Sequence, residues 1–254
     1  MPKNLTELDI ILAELPTQIK PHFIDTIKFI DKSVSIDTDL KMYSNHLQKQ
    51  VLEQCKYLSD FKEFNDVKWA NTRSLETLRD RALGETLSTK MERCINTILQ
   101  EVNVELISGG LKSEESIKRK IQRHNVEDRR FVFDYIRFRV IVPSLREIEI
   151  IGKLLCENLP HLVRFRNHYT RPADGLGEHY RALSYTFAIS HDYSVEIQIL
   201  TLNNHIKSFL THSFVVAKNR EFPTPTSKQW FVDFLWKVNI MDFREFLGHV
   251  SFIP

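Results

Sequence analysis

The chain has 254 residues, 42% hydrophobic and 27% charged, a balance that excludes a disordered polymer and gives room for one sizeable domain plus a smaller appendage. The formal net charge of +2 neither selects nor excludes a nucleic-acid partner, so charge has to be read locally. Three scattered cysteines, Cys55, Cys94 and Cys156, without CxxC spacing, exclude a disulfide framework or a zinc ribbon and point to free thiols in a reducing compartment.

No apolar run approaches the roughly 20 residues of a membrane span, so no membrane partner is expected. The opening MPKNLTELDI carries early acids and no apolar core, so no signal peptide is expected and the default location is cytoplasmic. A signal read by a dedicated export machine would escape this test, which leaves export as an effector open.

Residues 4 to about 60 read as helical, with Leu5, Leu8, Ile11, Leu12 and Leu15 at helical spacing before Pro16. A later run from about Thr38 carries Tyr43, Leu47, Val51, Cys55 and Leu58 in register. Glycine is absent here and no catalytic spacing occurs, so residues 1–84 are expected to form a helical appendage used for packing, partner contact or regulation. Within it, 60–84 reads as loop plus a short helix. The spacing then predicts an amphipathic helix from Thr86 to Val102, its core stripe including Leu87, Met91, Cys94, Ile95 and Leu99.

The pattern changes at Val104–Ile107, a predicted strand that Ser108-Gly109-Gly110 is expected to break. Ser113 is a good N-cap for the next helix, with Glu114 and Glu115 in the first turn, where the helix dipole favours acids. Ile117 and Ile121 form its buried stripe. A basic run through Lys118, Arg119, Arg123, His124, Arg129 and Arg130 reads either as a solvated face or as a phosphate or RNA-backbone site.

Phe131 to Val142 is predicted as one long strand, and Asp134 is its anomaly, a carboxylate on the face of Val132, Ile136, Phe138 and Val140. Burying it unpaired would cost on the order of several kcal/mol, so it needs a cationic side chain or a bound cation. A helix over Leu145–Glu157 and a strand over Leu162–Phe165 complete a β-α-β run typical of an α/β sheet. A basic loop, Arg166 to His179, leads to Tyr180 and a strand from Arg181 to Ser190, turned by His191-Asp192.

The strand Ser194–Thr201 alternates strictly, with Val195, Ile197 and Ile199 on one side and Ser194, Glu196 and Gln198 on the other. Its second face puts a carboxylate beside an amide, facing either a cleft or plain solvent. A helix from Leu202 to about Lys218 bears His205 and His212 one heptad apart. Beyond a linker-like Phe222–Thr226, residues 221–254 are densely aromatic, with Trp230, Phe234, Trp236, Phe243 and Phe246, and are expected to pack on the core or form an interface.

Several ordered blocks between Ser108 and Lys218 resemble the synthetase domain of the RelA/SpoT family, the pyrophosphokinases that make (p)ppGpp, and most of all its small alarmone synthetases and their toxic relatives. Gly109–Ile117 with Lys120-Ile121 is similar to the family's Gly-Arg-x-Lys-Ser-x-x-Ser-Ile segment. Asp134–Val140 is similar to its Asp-x-x-Gly-Ile-Arg block, Tyr180–Leu183 falls at its Gly-Tyr-x-Ser, Glu196–Thr201 resembles Glu-Ile-Gln-Ile-Arg-Thr, and His212 lies at a histidine of the next helix. The resemblance implies an α/β (α+β) nucleotidyltransferase-like mixed β-sheet flanked by helices over residues 85–220, with the helical N-terminal region added to it.

It also implies a bacterial enzyme that moves the β,γ-pyrophosphoryl group of ATP to the 3′-hydroxyl of a purine nucleotide, GDP or GTP by family default. Asp134 would be a Mg²⁺ ligand, and Glu196 would help to hold the metal or take the proton of the attacking hydroxyl. Lys112, Ser116 and Lys120 would hold the donor triphosphate and Arg139 its adenine, with Lys120 also counted as catalytic. Tyr180, Arg181, Gln198 and His212 would serve the acceptor.

The departures are Gly110, Leu200 and His179 in place of the family's arginine, arginine and glycine, and Ser184 in place of the usual histidine. For the missing arginine at 110, Arg119 and Arg137 are candidates. Donor chemistry therefore reads as retained and acceptor recognition as altered, which keeps adenine nucleotides, the 3′ end of tRNA, and a non-catalytic nucleotide-binding regulatory module as alternatives. An antitoxin or a second copy of the chain could contact the helical flanks.

Overall fold

The computed structural model describes residues 40–72, 80–123, 132–171, 180–211 and 225–250. The expected helices before residue 40, the basic residues His124, Arg129 and Arg130, most of the loop to His179, and His212 lie outside the described residues. The helices are α1 (Leu40–Gln54), α2 (Lys56–Asp60), α3 (Val67–Thr72), α4 (Arg81–Leu99), α5 (Glu114–Arg123), α6 (Leu145–Asn158), α7 (Leu202–Leu210) and α8 (Pro225–Val250). The strands are β1 (Phe64–Asn65), β2 (Glu105–Leu111), β3 (Ile136–Val142), β4 (Leu162–Asn167), β5 (Leu183–Ala188) and β6 (Ser194–Thr201).

These elements sort into two compact units, and the larger comprises Cys55–Arg171 with Ala182–Leu200. Its centre is a six-stranded mixed sheet in the order β1-β4-β5-β6-β3-β2. The pairs β1–β4, β4–β5, β5–β6 and β2–β3 are antiparallel. Every residue of β5 is buried, as the middle of a sheet covered on both faces requires. In register, Phe165 faces Tyr185, which faces Ile197, and this row is apolar. The neighbouring rows are polar: Arg164 faces Thr186, which faces Glu196, and Arg166 faces Ser184, which faces Gln198. The period-2 rule thus gives the sheet one oily face and one chemically equipped face.

Helix starts are fixed by side-chain caps. Asp80 Oδ1 accepts from Leu83 N–H at 2.9 Å to open α4, Ser144 Oγ accepts from Arg146 N–H at 3.3 Å to open α6, and Ser113 Oγ accepts from Ser116 N–H at 3.3 Å ahead of α5. Glu114 and Glu115 occupy the first turn of α5, as the sequence predicts. The predicted helix from Thr86 begins five residues earlier because Asp80 caps it. Its buried stripe runs through Gly84, Ser88, Ile95 and Leu99, whereas Cys94 is exposed.

Three expectations are corrected. The Ser108-Gly109-Gly110 run does not end the strand: β2 continues through it to Leu111, with its register against β3 shifting between Ser108 and Gly110. Gly110 has φ +58, which favours glycine, and a Cβ on Gly109 would lie 3.1 Å from both Cβ and the carbonyl oxygen of Arg137, so the two glycines suit the bulge for different reasons, one of backbone angle and one of space. Secondly, the strand expected from Phe131 starts at Ile136, which puts Asp134 in the turn before β3 rather than on an aliphatic strand face. Val132, Phe133 and Tyr135 are all buried, so this turn is a core element without strand alternation. Thirdly, the strand expected over Arg181–Ser190 is confined to Leu183–Ala188.

The second unit takes the described residues up to Gln54, Tyr180–Arg181 and those from Thr201 onward. The aromatic tail is here a single helix, α8, which packs against α1 and α7. It buries Phe234, Leu235, Trp236, Val238, Ile240, Phe243 and Phe246. Burial almost all round its axis explains the density of large side chains. Buried polar residues in this unit bond to one another: Asp242 accepts from Thr201 Oγ1 at 2.7 Å and from Asn203 Nδ2 at 2.8 Å, and Lys207 Nζ donates to Asn239 Oδ1. Burial raises the Asp242 carboxyl to about 6, although Thr201, Asn203 and Lys207 all favour its ionised form. Among the described residues, no helix is long and apolar enough to cross a membrane.

In the first unit, α6 passes the sheet at Gly152, beside the Tyr57–Tyr185 hydroxyl pair at 2.6 Å. A Cβ there would collide with the Tyr185 hydroxyl. Gly152→Ala is therefore expected to cost about 1–3 kcal/mol of stability, read as a lower urea midpoint at an unchanged m-value. An unchanged midpoint would show that α6 can move away from the sheet freely.

Candidate active site

The polar face of the sheet carries the candidate chemistry. Lys112 directly follows β2, Lys120 lies on α5, and both reach the turn that holds Asp134. Lys112 Nζ donates to Asp134 Oδ2 at 2.6 Å, and Lys120 Nζ donates to Asp134 Oδ1 at 2.7 Å. The cation that the Asp134 carboxylate requires is thus a pair of ammonium groups. Burial alone would raise the Asp134 pKa, but the charges of Lys120 and Lys112 and their hydrogen bonds outweigh it and hold the carboxyl well below the usual range.

Glu196 is built differently. Its Oε1 accepts from Ser184 Oγ at 2.9 Å and its Oε2 accepts from Gln198 Nε2 at 3.1 Å, while Gln198 Oε1 accepts from Arg139 Nε at 3.2 Å. Burial raises its pKa, and the charge of Asp134 adds to this. Lys120, the Ser184 hydrogen bond and Arg164 oppose it. Two carboxylates therefore stand within electrostatic reach of one another, one with its pKa lowered by two lysines and one with its pKa raised by burial.

The remaining expected residues are distributed as follows. Ser116, in the first turn of α5, accepts from Ser113 Oγ at 2.9 Å and from Arg119 Nη2 at 3.4 Å. Arg137 Nη2 donates to the carbonyl of Gly109 at 3.0 Å, beside the bulge. Tyr180 and Arg181 belong to the second unit, where Arg181 is buried and its Nη2 donates to Gln48 Oε1 at 3.2 Å. His212 lies outside the described residues. The structure thus brings Lys112, Lys120, Asp134, Arg139, Glu196 and Gln198 together in one unit.

Two further residues join them that motif spacing did not select. Ser184 is buried and is the hydroxyl partner of Glu196. Arg164 lies with its Cζ 5.1 Å from the Phe133 ring centroid. Burial and the charge of Arg166 lower its pKa, against the pull of Glu196 and Asp134. The alternation of Arg164 and Arg166 along β4 was the available sequence signal for a polar face on that strand.

With this geometry in view, comparisons with known proteins are informative. Residues 109–217 match the family model described as the region found in RelA / SpoT proteins. Among solved structures, the small alarmone synthetase 2 from Bacillus subtilis is similar at 16% identity and a TM-score of 0.53, covering 69% of this chain and 98% of that one. A GTP pyrophosphokinase family protein from Streptococcus pneumoniae is similar at 18% identity and a TM-score of 0.51, covering 69% and 91%. The small alarmone synthetase 1 from Bacillus subtilis bound to its product pppGpp gives 20%, 0.50, 67% and 94%. No curated protein matches the chain. The mixed α/β fold is shared with these proteins. The family match is carried by residues 109–217, and the solved structures add a likeness of fold.

His168, just beyond β4, gives the larger unit a titration signature. Burial lowers its pKa from 6.5 to about 4, against the opposing charge of Glu63. The folded imidazole therefore stays neutral where the unfolded one binds a proton. Its contribution to stability is complete above pH 6.5 and is lost as pH falls toward 4. Unfolding free energies from denaturant titrations between pH 7 and 4.5 are expected to fall more steeply for the wild type than for His168→Gln, by at most about 1.4 kcal/mol per pH unit. Parallel profiles would show that His168 is protonated in the fold.

Proposed function

We propose that the domain transfers the β,γ-pyrophosphoryl group of ATP to the 3′-hydroxyl of a purine nucleotide, a guanine nucleotide by family default. The observation that carries this reading is the convergence of Lys112, Lys120, Asp134 and Glu196, all four at positions that match RelA/SpoT motifs. Two ammonium groups around one carboxylate leave a net positive charge for the donor triphosphate, the electrostatic contribution that dominates phosphoryl-type transfer. Arg139 bears on the donor adenine. Glu196, whose environment favours proton uptake, accepts the proton of the 3′-hydroxyl as that oxygen bonds to the β-phosphorus and AMP departs with the former bridging oxygen. Ser184 and Gln198 keep both Glu196 oxygens oriented for this.

Asp134 and Glu196 would hold Mg²⁺ once the donor triphosphate draws Lys112 and Lys120 off the Asp134 oxygens that both lysines occupy here. Asp134 and Glu196 lie close enough for the charge of one to raise the pKa of the other. Mg²⁺ takes one or two carboxylates and completes its shell with phosphate oxygens and water. When bound, it would neutralise the phosphoryl oxygens during transfer.

A second acceptor class, an adenine nucleotide or the 3′ end of tRNA, is favoured by Leu200. This residue stands where the family block has an arginine, and it is fully buried, so it offers the acceptor no charge.

The test is incubation of the purified chain with labelled ATP, Mg²⁺ and GDP, GTP, ADP, ATP or tRNA. Label is expected on one acceptor class. Label on none would favour a non-catalytic nucleotide-binding module, and an RNA acceptor would show strongly salt-dependent binding. Asp134→Ala and Glu196→Ala are each expected to lower transfer by about 100- to 10,000-fold without unfolding the protein. Near-wild-type turnover in either would overturn the assignment.

A further inference from the structure

Asp134 is fixed at two levels. Its side chain is clamped by Lys112 and Lys120, and its backbone is held on both sides by bonds that involve neither ammonium group. Ser194 Oγ donates to the carbonyl of Phe133 at 3.0 Å, one residue before Asp134. The Lys112 N–H donates to the carbonyl of Tyr135 at 2.7 Å, one residue after it. The second bond continues the pairing of β2 with β3, in which Leu111 stands opposite Ile136. The first comes from a buried side chain on β6, the neighbour of β3 in the sheet.

Ser194 opens β6 and shares its polar face with Glu196, two residues on. A strand rises about 3.3 Å per residue, so the hydroxyl that anchors the Asp134 turn is rooted roughly 7 Å from Glu196 on the same element. One strand thus carries one carboxylate and grips the turn that carries the other. The lysine clamp cannot do this throughout the reaction, because the donor triphosphate would draw both ammonium groups off the Asp134 oxygens. The backbone then has to keep that carboxylate in place, and the Phe133 carbonyl is where the backbone meets β6.

We propose that Ser194 is a positioning residue. Through the Phe133 carbonyl it sets the separation of Asp134 and Glu196 while the lysines are engaged by the donor, and so keeps the pair at the spacing that one Mg²⁺ needs. This rests on the metal and donor assignments of the proposed function. Ser194 precedes the Glu196–Thr201 block, so motif spacing does not select it, and it acts through the turn rather than on the reacting atoms.

Ser194→Ala removes the donor with little change of volume. The probe is α,β-methylene ATP, whose carbon bridge blocks transfer. It is titrated calorimetrically into the full chain in EDTA and in saturating Mg²⁺, and the ratio of the two affinities is the Mg²⁺ gain. Ser194→Ala is expected to leave the EDTA affinity within about twofold and to lower the gain about tenfold, as for residues that support metal ligands from behind. Ser194→Cys keeps the size and a weak donor and is expected to lose less. Gly152→Ala, a destabilising change on α6, is expected to keep the full gain, so lost stability alone does not reproduce the effect. A gain unchanged in Ser194→Ala, or an EDTA affinity that falls by the same factor as the affinity in Mg²⁺, would overturn the role of Ser194. If Ser194→Ala does not fold, Ser194→Cys is read by the same two criteria. A wild type without any Mg²⁺ gain would overturn the metal assignment and this proposal with it. A wild type that shows the gain but transfers no label would overturn the pyrophosphokinase reading alone, and the ratio would still decide the role of Ser194.

Discussion

Asp134 is held by two lysines that come from different places in the chain, one at the end of a strand and one on the following helix. A carboxylate with both oxygens occupied by ammonium groups is locked in orientation, and it locks its partners in return. This three-residue knot ties the bulged end of β2, the helix α5 and the turn before β3 to a common point. If that point were loosened, the triphosphate-binding charges would lose their spacing, and Glu196 would lose the neighbouring charge that helps to raise its pKa. The clamp also resolves a cost in burial: three charges share one half-buried location because each has its complement beside it.

Across the sheet from the clamp, order is kept by hydrogen bonds rather than by ion pairs. Arg139, Gln198, Glu196 and Ser184 form a continuous chain of contacts over three adjacent strands. The amide of Gln198 works in both directions, accepting from the arginine and donating to the carboxylate. Such a chain needs strict strand register, because a slip of one residue would replace Ser184 by Tyr185 or Glu196 by Ile197 and turn the oily face toward the substrate. The fully buried β5 and the close-packed tyrosine pair behind it are what fix that register.

Much of this was legible in the chain itself. The alternation of Ser194–Thr201 gave β6 its two faces, and the Ser113 cap with its acidic first turn gave α5 its start. The lone acid among Val132, Ile136 and Phe138 announced that Asp134 needed a cation. What could not be read were the partners. Lys112 and Lys120 are 22 and 14 residues from Asp134 and meet it only when two elements have folded together. Glu63 meets Arg166 across 103 residues by strand pairing alone. The glycine pair read as a break because a bulge and a terminus share the same local chemistry, and only the partner strand distinguishes them. The aromatic tail gave no period because α8 is buried nearly all round, and a helix without a polar face carries no amphipathic signal.

The bulge at Gly109-Gly110 bears on how this branch can diversify. Gly110 occupies a left-handed backbone conformation with open space where a Cβ would stand. A Cβ at this position would meet no neighbour, but the backbone angle would cost a residue with a side chain about 1–2 kcal/mol. An arginine at position 110 would carry that backbone strain unless the bulge were removed. With glycine here, positive charge for the donor site has to come from side chains rooted elsewhere, Lys112 and Lys120 among them.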